Sequence, residues 1–143
     1  MKYAGLTSGE IKSYALIFDI GDDVPAEIIR FAKEQKVMAA RLTGIGGFSQ
    51  ATLGYFVRDR KEYEPIAIDE QVELLSLVGD VAWSGEEPLL HAHAVVGHRG
   101  GSVSGGHLIA ARVFPTLELF VDVYDYELRK RNRPEIGIAT ISL

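Results

Sequence analysis

Four histidines stand at positions 91, 93, 98 and 107, and three of them are spaced as a metal site requires. His91 and His93 sit two residues apart in the apolar run Leu90-His91-Ala92-His93-Ala94-Val95-Val96. Successive side chains of a strand point to opposite faces, so a strand here sets both imidazoles on one face, about 7 Å apart. The Gly- and Ser-rich stretch Gly100-Gly101-Ser102-Val103-Ser104-Gly105 reads as a hairpin loop. A hairpin centred near residue 100 places His107 opposite His93, and an offset of two residues places it opposite His91. In either register the three imidazoles share a face; a slip of one residue breaks this, so the expectation needs a bulge-free hairpin. Neutral imidazole suits Zn, Cu, Ni and Fe, and three protein ligands leave a position open for water or substrate. The expected site is therefore His91, His93 and His107 around a divalent ion, Zn²⁺ in first place, with Zn–N distances of about 2.0–2.1 Å. The same residues also fit core or half-wet histidines satisfied by hydrogen bonds, and the sequence leaves both readings open. His98 has the opposite parity and falls in the loop.

Other chemistry finds less support. The absence of Cys removes disulfides, thiolate metal sites and cysteine nucleophiles, and fits a reducing compartment. No Gly-x-Ser-x-Gly surrounds Ser102 or Ser104. Neither Gly-rich segment continues as a P-loop, and Ser49 stands where a dinucleotide fingerprint needs its third glycine. Glu73, Glu118 and Asp122 read as solvated or paired face residues, any of which would serve as an acceptor for a ligand histidine. Arg129-Lys130-Arg131-Asn132-Arg133-Pro134 gathers four of the 15 basic residues in one loop. It invites comparison with the Arg-Gly-Arg-Pro core of an AT-hook, but Asn132 replaces the glycine that lets such a hook lie deep in the minor groove. Arg129, Lys130, Arg131 and Arg133 are thus candidate nucleic-acid contacts, with a solvated charge run as the plainer reading, as for Arg58-Asp59-Arg60-Lys61. A net charge of -5 argues against a general polyanion binder. No catalytic residue is assigned.

The elements that must position these groups are mostly strands. Length and composition (143 residues, 47% hydrophobic, 24% charged) give one domain with a sizeable core. Tyr14 to Asp19 reads as a strand. Residues of about 23 to 36 read as an amphipathic helix, with Asp22, Asp23 and Pro25 at its start and Val24, Ile28, Phe31 and Ala32 on one stripe. Further strands are expected at Val37 to Leu42, Ala51 to Val57, Gln71 to Trp83, Leu89 to Gly97, Gly106 to Phe114, Leu117 to Tyr126 and Ile136 to Ile141. In the first long one, Leu75, Leu77, Val81 and Trp83 are set against Val72, Leu74 and Val78; from Thr116 on, Leu117, Leu119, Val121 and Val123 face one way. Seven or eight strands, one main helix and short turns predict an α+β fold, a strongly bent, mostly antiparallel sheet or open barrel. Glycines at 44 to 47 and 97 to 106 mark bends or close backbone approach. The Met1–Gly5 start shows no apolar leader, and no stretch reaches the ~18 apolar residues of a membrane helix, so a cytoplasmic protein without membrane contact is expected. Apolar residues on both faces of Gln71 to Trp83 predict self-association.

The order of these segments resembles the plants-and-prokaryotes conserved (PPC) domain over nearly the whole chain, 1–143. The resemblance is carried by His91-Ala92-His93 followed by Gly105-Gly106-His107-Leu108. Thr43-Gly44-Ile45-Gly46, Leu53-Gly54-Tyr55-Phe56 and Glu73-Leu74-Leu75-Ser76-Leu77-Val78-Gly79 support it. It implies one helix against a bent sheet, assembled as a homotrimer. In plants the domain accompanies AT-hooks in DNA-binding proteins and mediates association; stand-alone prokaryotic members carry a DNA-binding label by analogy, and some bind metal through histidines. The expected function is an interaction or small-ligand module with a three-histidine metal site. A DNA-associated regulator and a metal-dependent enzyme are the alternatives.

Overall fold

The computed structural model describes residues 9–143; the Met1–Gly5 start lies outside them. Strand β1 (Lys12–Phe18) leads into helix α1 (Val24–Glu34). Then follow β2 (Ala39–Val57), β3 (Glu62–Ile68), β4 (Val72–Ser84), β5 (Glu87–Gly97), β6 (Val103–Val123), β7 (Arg129–Arg133) and β8 (Ile138–Ser142). The fold is α+β, one helix among the described residues against a mostly antiparallel sheet. None of the described helical residues form a helix long and apolar enough to cross a membrane.

Helix α1 starts where an acidic cap is available: the Asp23 side chain accepts from the Ala26 N–H, and Pro25 occupies the first turn. Its stripe of Val24, Ile28 and Ala32 is fully buried against β5 and β6, while Arg30 bridges Glu27 and Glu34 on the wet side. The helix stops short of residue 36 because Lys36 takes a left-handed φ of 53°, which no helix continues through.

The sheet runs β3-β2-β6-β5-β4-β7-β8, with β1 added to β6. Strand β2 also pairs with β4, so β2, β6, β5 and β4 form a partial ring. The first half of β2 is gripped by β4 on one edge and by the second half of β6 on the other; its second half pairs with the first half of β6 and with β3. Phe48, Leu42, Leu53, Leu77, Leu117 and Leu119 fill the inside beneath α1. Glycine permits this double pairing. A Cβ on Gly46 would lie 2.3 Å from the Thr116 carbonyl oxygen, and one on Gly47 2.4 Å from that of Phe114.

Four sequence expectations change. The strand pairs expected on either side of residues 43–50 and of 115–116 are continuous: β2 is 19 residues long and β6 is 21. Strand β3 was not expected, since Glu62, Glu64 and Pro65 suppress the strand pattern; it is an edge strand, where charge and proline are tolerated. In β4 a register shift between Leu74 and Ser76 changes the parity, so Leu74 and Leu77 are both buried while Leu75 is 51% exposed. Finally, Arg129–Arg133 is not a loop but strand β7, paired antiparallel to β8 and touching β4 through Trp83 and Arg129.

Gly46→Ala should therefore cost about 1–3 kcal/mol in a denaturant titration, as overpacking against a fixed backbone does. Gly100→Ala, where a Cβ would meet nothing within 4 Å, should stay within about 0.5 kcal/mol of the parent.

Candidate metal centre

The β5–β6 hairpin pairs from Gly97 and Val103 to His93 and His107 without a register shift. His107 therefore stands opposite His93, and His91, two residues further along β5, shares their face. The three rings form a triangle with centroids 5.3 Å (His91–His93), 5.4 Å (His91–His107) and 5.5 Å (His93–His107) apart. One ring nitrogen from each lies within 4.8 Å of the others.

His107 is the deepest of the three. Strand β2 places Gly54 opposite it, where a Cβ would come within 2.9 Å of the Tyr63 ring. Without that Cβ, Tyr63 of β3 stacks on the imidazole, centroids 4.3 Å apart and planes 17° apart. Burial pushes the Tyr63 hydroxyl above its ordinary range. Burial first, then the charges of His91, His93 and Lys130, brings His107 down from 6.5 to about 4, and burial with His91 lowers His93. These two rings are neutral at neutral pH and keep a lone pair for a ligand. His107 Nδ1 is buried with no hydrogen-bond partner among the described residues. A buried polar atom left unpaired costs about 1–3 kcal/mol. A divalent cation bound through it would supply what that nitrogen lacks, and three imidazoles, two of them exposed, suit a borderline ion with an open side.

Two residues behind His91 complete the arrangement. Asp80 of β4 is the cross-strand partner of His91, and its Oδ2 lies 3.5 Å from His91 Nδ1. The other oxygen, Oδ1, lies 2.6 Å from Lys130 Nζ, whose side chain is only 2% exposed and which also donates to the Leu89 carbonyl at 3.5 Å. A carboxylate on the Nδ1 side of a ligand histidine orients the ring and raises its basicity. Sequence reasoning looked for this acceptor at Glu73, Glu118 and Asp122. Asp122 instead accepts from Ser13 and Arg41, and Glu73 and Glu118 line a cleft with Ile45 and Leu75. Asp80 had a signal: the turn at Gly85, with Ser84 opposite Glu87, counts back to Asp80 opposite His91. Tyr63 and Lys130 had none, one sitting in an unexpected strand and the other in a run that reads as solvated.

The basic run is largely spoken for. Lys130 is buried on Asp80, Arg129 pairs with Glu127 and donates to the Gly85 carbonyl, and Arg133 pairs with Glu135. Arg131 is exposed. His98 lies away from the triangle, bonded to Glu70 and Ser104.

Similar proteins share this architecture. The metal-containing protein of Archaeoglobus fulgidus superposes with a TM-score of 0.91 and 31% identity over 100% of both chains. A protein of Ralstonia eutropha JMP134 that carries a provisional DNA-binding name superposes with a TM-score of 0.85 and 30% identity, over 91% of this chain and 90% of that one. In sequence, the chain is 30% identical over 135 residues to the bifunctional protein GlmU of Synechococcus sp. strain JA-3-3Ab, covering 92% of this chain and 20% of that protein. The chain thus spans about a fifth of the length of the curated relatives it matches. The family model described as the Plants and Prokaryotes Conserved (PCC) domain matches residues 6–125, and the chain belongs to that family.

Proposed function

We propose that this chain is a metal-binding PCC module in which His91, His93 and His107 hold a divalent ion, Zn²⁺ in first place, with a coordination position left for a small-molecule ligand. The observation that carries the reading is the convergence of three ring nitrogens within 4.8 Å, one of them from the half-buried His107, whose Nδ1 is buried and unpaired among the described residues. The metal content named for the Archaeoglobus fulgidus relative supports it. When bound, the ion acts as a Lewis acid toward an oxygen or nitrogen of that ligand. The chain's own part is to hold His91 through Asp80 and Lys130 and to shield His107 beneath Tyr63. Asp80 also favours a second reading, a metal-dependent enzyme, because it is a carboxylate at the edge of an open site. A DNA-associated role draws on the Ralstonia eutropha relative's name; the pairing of Arg129, Lys130 and Arg133 with carboxylates weighs against it.

The module is further proposed to assemble as a homotrimer. Ile45, Leu75, Val78 and Phe120 are each more than half exposed, and Phe120, Thr43 and Val78 are cross-strand neighbours in line with His93. Apolar groups gathered in this way mark an interface. Sedimentation equilibrium at micromolar concentration should return three times the chain mass of 15.7 kDa, and a monomer mass refutes the assembly.

Elemental analysis of protein purified without a His-tag should find one divalent ion per chain. His107→Ala should remove it and His98→Ala should leave it in place. Asp80→Asn should weaken binding about 10- to 100-fold, as loss of a histidine-orienting carboxylate does. Full metal content in His107→Ala disproves the site.

The metal-free protein should show the proton linkage of a half-buried neutral imidazole. His107 titrates at about 4 when folded, against an ordinary 6.5, so the unfolded chain binds more protons between those values. Stability is complete above pH 6.5 and falls as the pH drops toward 4. Denaturant midpoints measured across this range should fall for the parent and fall less for His107→Gln.

A further inference from the structure

At the turn end of the β5–β6 hairpin, His98 is held by two hydrogen bonds on the opposite face of the sheet from the three histidines. Its Nδ1 lies 2.8 Å from Glu70 Oε1 and its Nε2 lies 2.8 Å from Ser104 Oγ. An ionised carboxylate only accepts, so Nδ1 carries a proton and donates to Glu70. In the neutral ring, Nε2 then keeps its lone pair and accepts from the Ser104 hydroxyl. Hydroxyl, imidazole and carboxylate in this order are the nucleophile, base and orienting group of acyl transfer, an arrangement recognised by geometry rather than by chain order.

The surroundings hold this chain of bonds in place. Ser104 is the cross-strand partner of the fully buried Val96, which turns its side chain to the inner face at the open end of the core. The His98 side chain is 19% exposed, shielded yet reachable, while Glu70 is solvated. The His98 N–H donates to the Ser102 carbonyl at 2.9 Å and the Gly101 N–H to the His98 carbonyl at 2.8 Å, fixing the loop that joins base and nucleophile. Beside the imidazole opens a cleft of about 590 Å³ whose wall includes Glu70, Glu73, Gly97, His98 and Arg99; Ser104 is not part of that wall and is joined to it through its hydrogen bond with His98. Two carboxylates on that wall, Glu70 and Glu73, disfavour an anionic acyl group.

We propose that Ser104, His98 and Glu70 form a nucleophilic triad that hydrolyses small, uncharged carboxylic esters, independently of the metal centre. Ser104 Oγ bonds to the ester carbonyl carbon as its proton passes to His98 Nε2. The adduct breaks its bond to the alkoxy oxygen, which leaves as the alcohol carrying that proton. Water then gives a proton to Nε2 and its oxygen to the acyl carbon; the bond to Oγ breaks, Ser104 recovers the proton, and the carboxylic acid departs. Glu70 is a positioning residue that keeps the proton on Nδ1.

The test is labelling and turnover with the chelator EDTA present and, in parallel, in a His107→Ala background, which separates the triad from any hydrolysis at the metal centre. A fluorophosphonate reagent should add its mass to the peptide containing Ser104. p-Nitrophenyl acetate should give a burst of one p-nitrophenol per chain followed by turnover. Ser104→Ala should abolish label and burst, and Glu70→Gln should lower kcat about tenfold or more with KM little changed. Labelling of the parent protein needs no variant to fold: if Ser104 stays unlabelled in excess reagent, or if turnover survives in Ser104→Ala, the triad is not a catalytic site.

Discussion

At Gly46 the backbone of β2 passes so close to β6 that even a methyl group would press on the Thr116 carbonyl. That approach lets one strand serve two neighbours along its first half and a third along its second. Because β2 binds both β4 and β6, β5 bridges the same two strands, and the partial ring wraps a core of Phe48 and aliphatic side chains. Helix α1 then has one place to bury Val24, Ile28 and Ala32, over β5 and β6. The histidines stand on the outward face of the strands whose inner face holds the helix, so the packing that stabilises the core also fixes the spacing of the three imidazoles.

The candidate centre gains its character from unequal burial. His91 and His93 face solvent, whereas His107 is roofed by Tyr63. A cation entering such a site would meet one half-buried ring and two exposed ones. The carboxylate of Asp80 does not stand alone behind His91, since Lys130 balances its charge. Removing one member of a buried ion pair is usually more costly than replacing both, because the remaining charge is left without a partner. The basic residue in this run with the least contact to water thus contributes to the inside of the protein rather than to a polyanion surface.

Much of this was legible in the residues. The helix was written in its cap and stripe, and the shared face of His91, His93 and His107 followed from parity alone, because the hairpin contains no bulge. Where bulges occur, parity misled: Leu75 and Leu77 were placed together, and the structure separates them. Strand β3 was hidden because its pairing comes from β2 rather than from its own pattern. Strand β7 was hidden because five polar residues carry no period, and burial of Lys130 depends on a carboxylate 50 positions earlier in the chain. Local sequence reports which way a side chain points; it does not report what waits for it across the sheet.

The β5–β6 turn carries groups of two kinds on opposite sides of one ribbon: His93 and His107 outward, His98 and Ser104 inward. Residues across an antiparallel hairpin are counted in pairs, so turn length is quantised for both sides together. An insertion of two residues could be absorbed as a longer loop with every orientation kept. An insertion of one, taken up by sliding one strand past the other, would turn His107 toward the helix and Ser104 toward water in the same movement. The hairpin therefore behaves as a two-sided ruler: a change at its tip that slides one strand by a single residue is read on both faces at once.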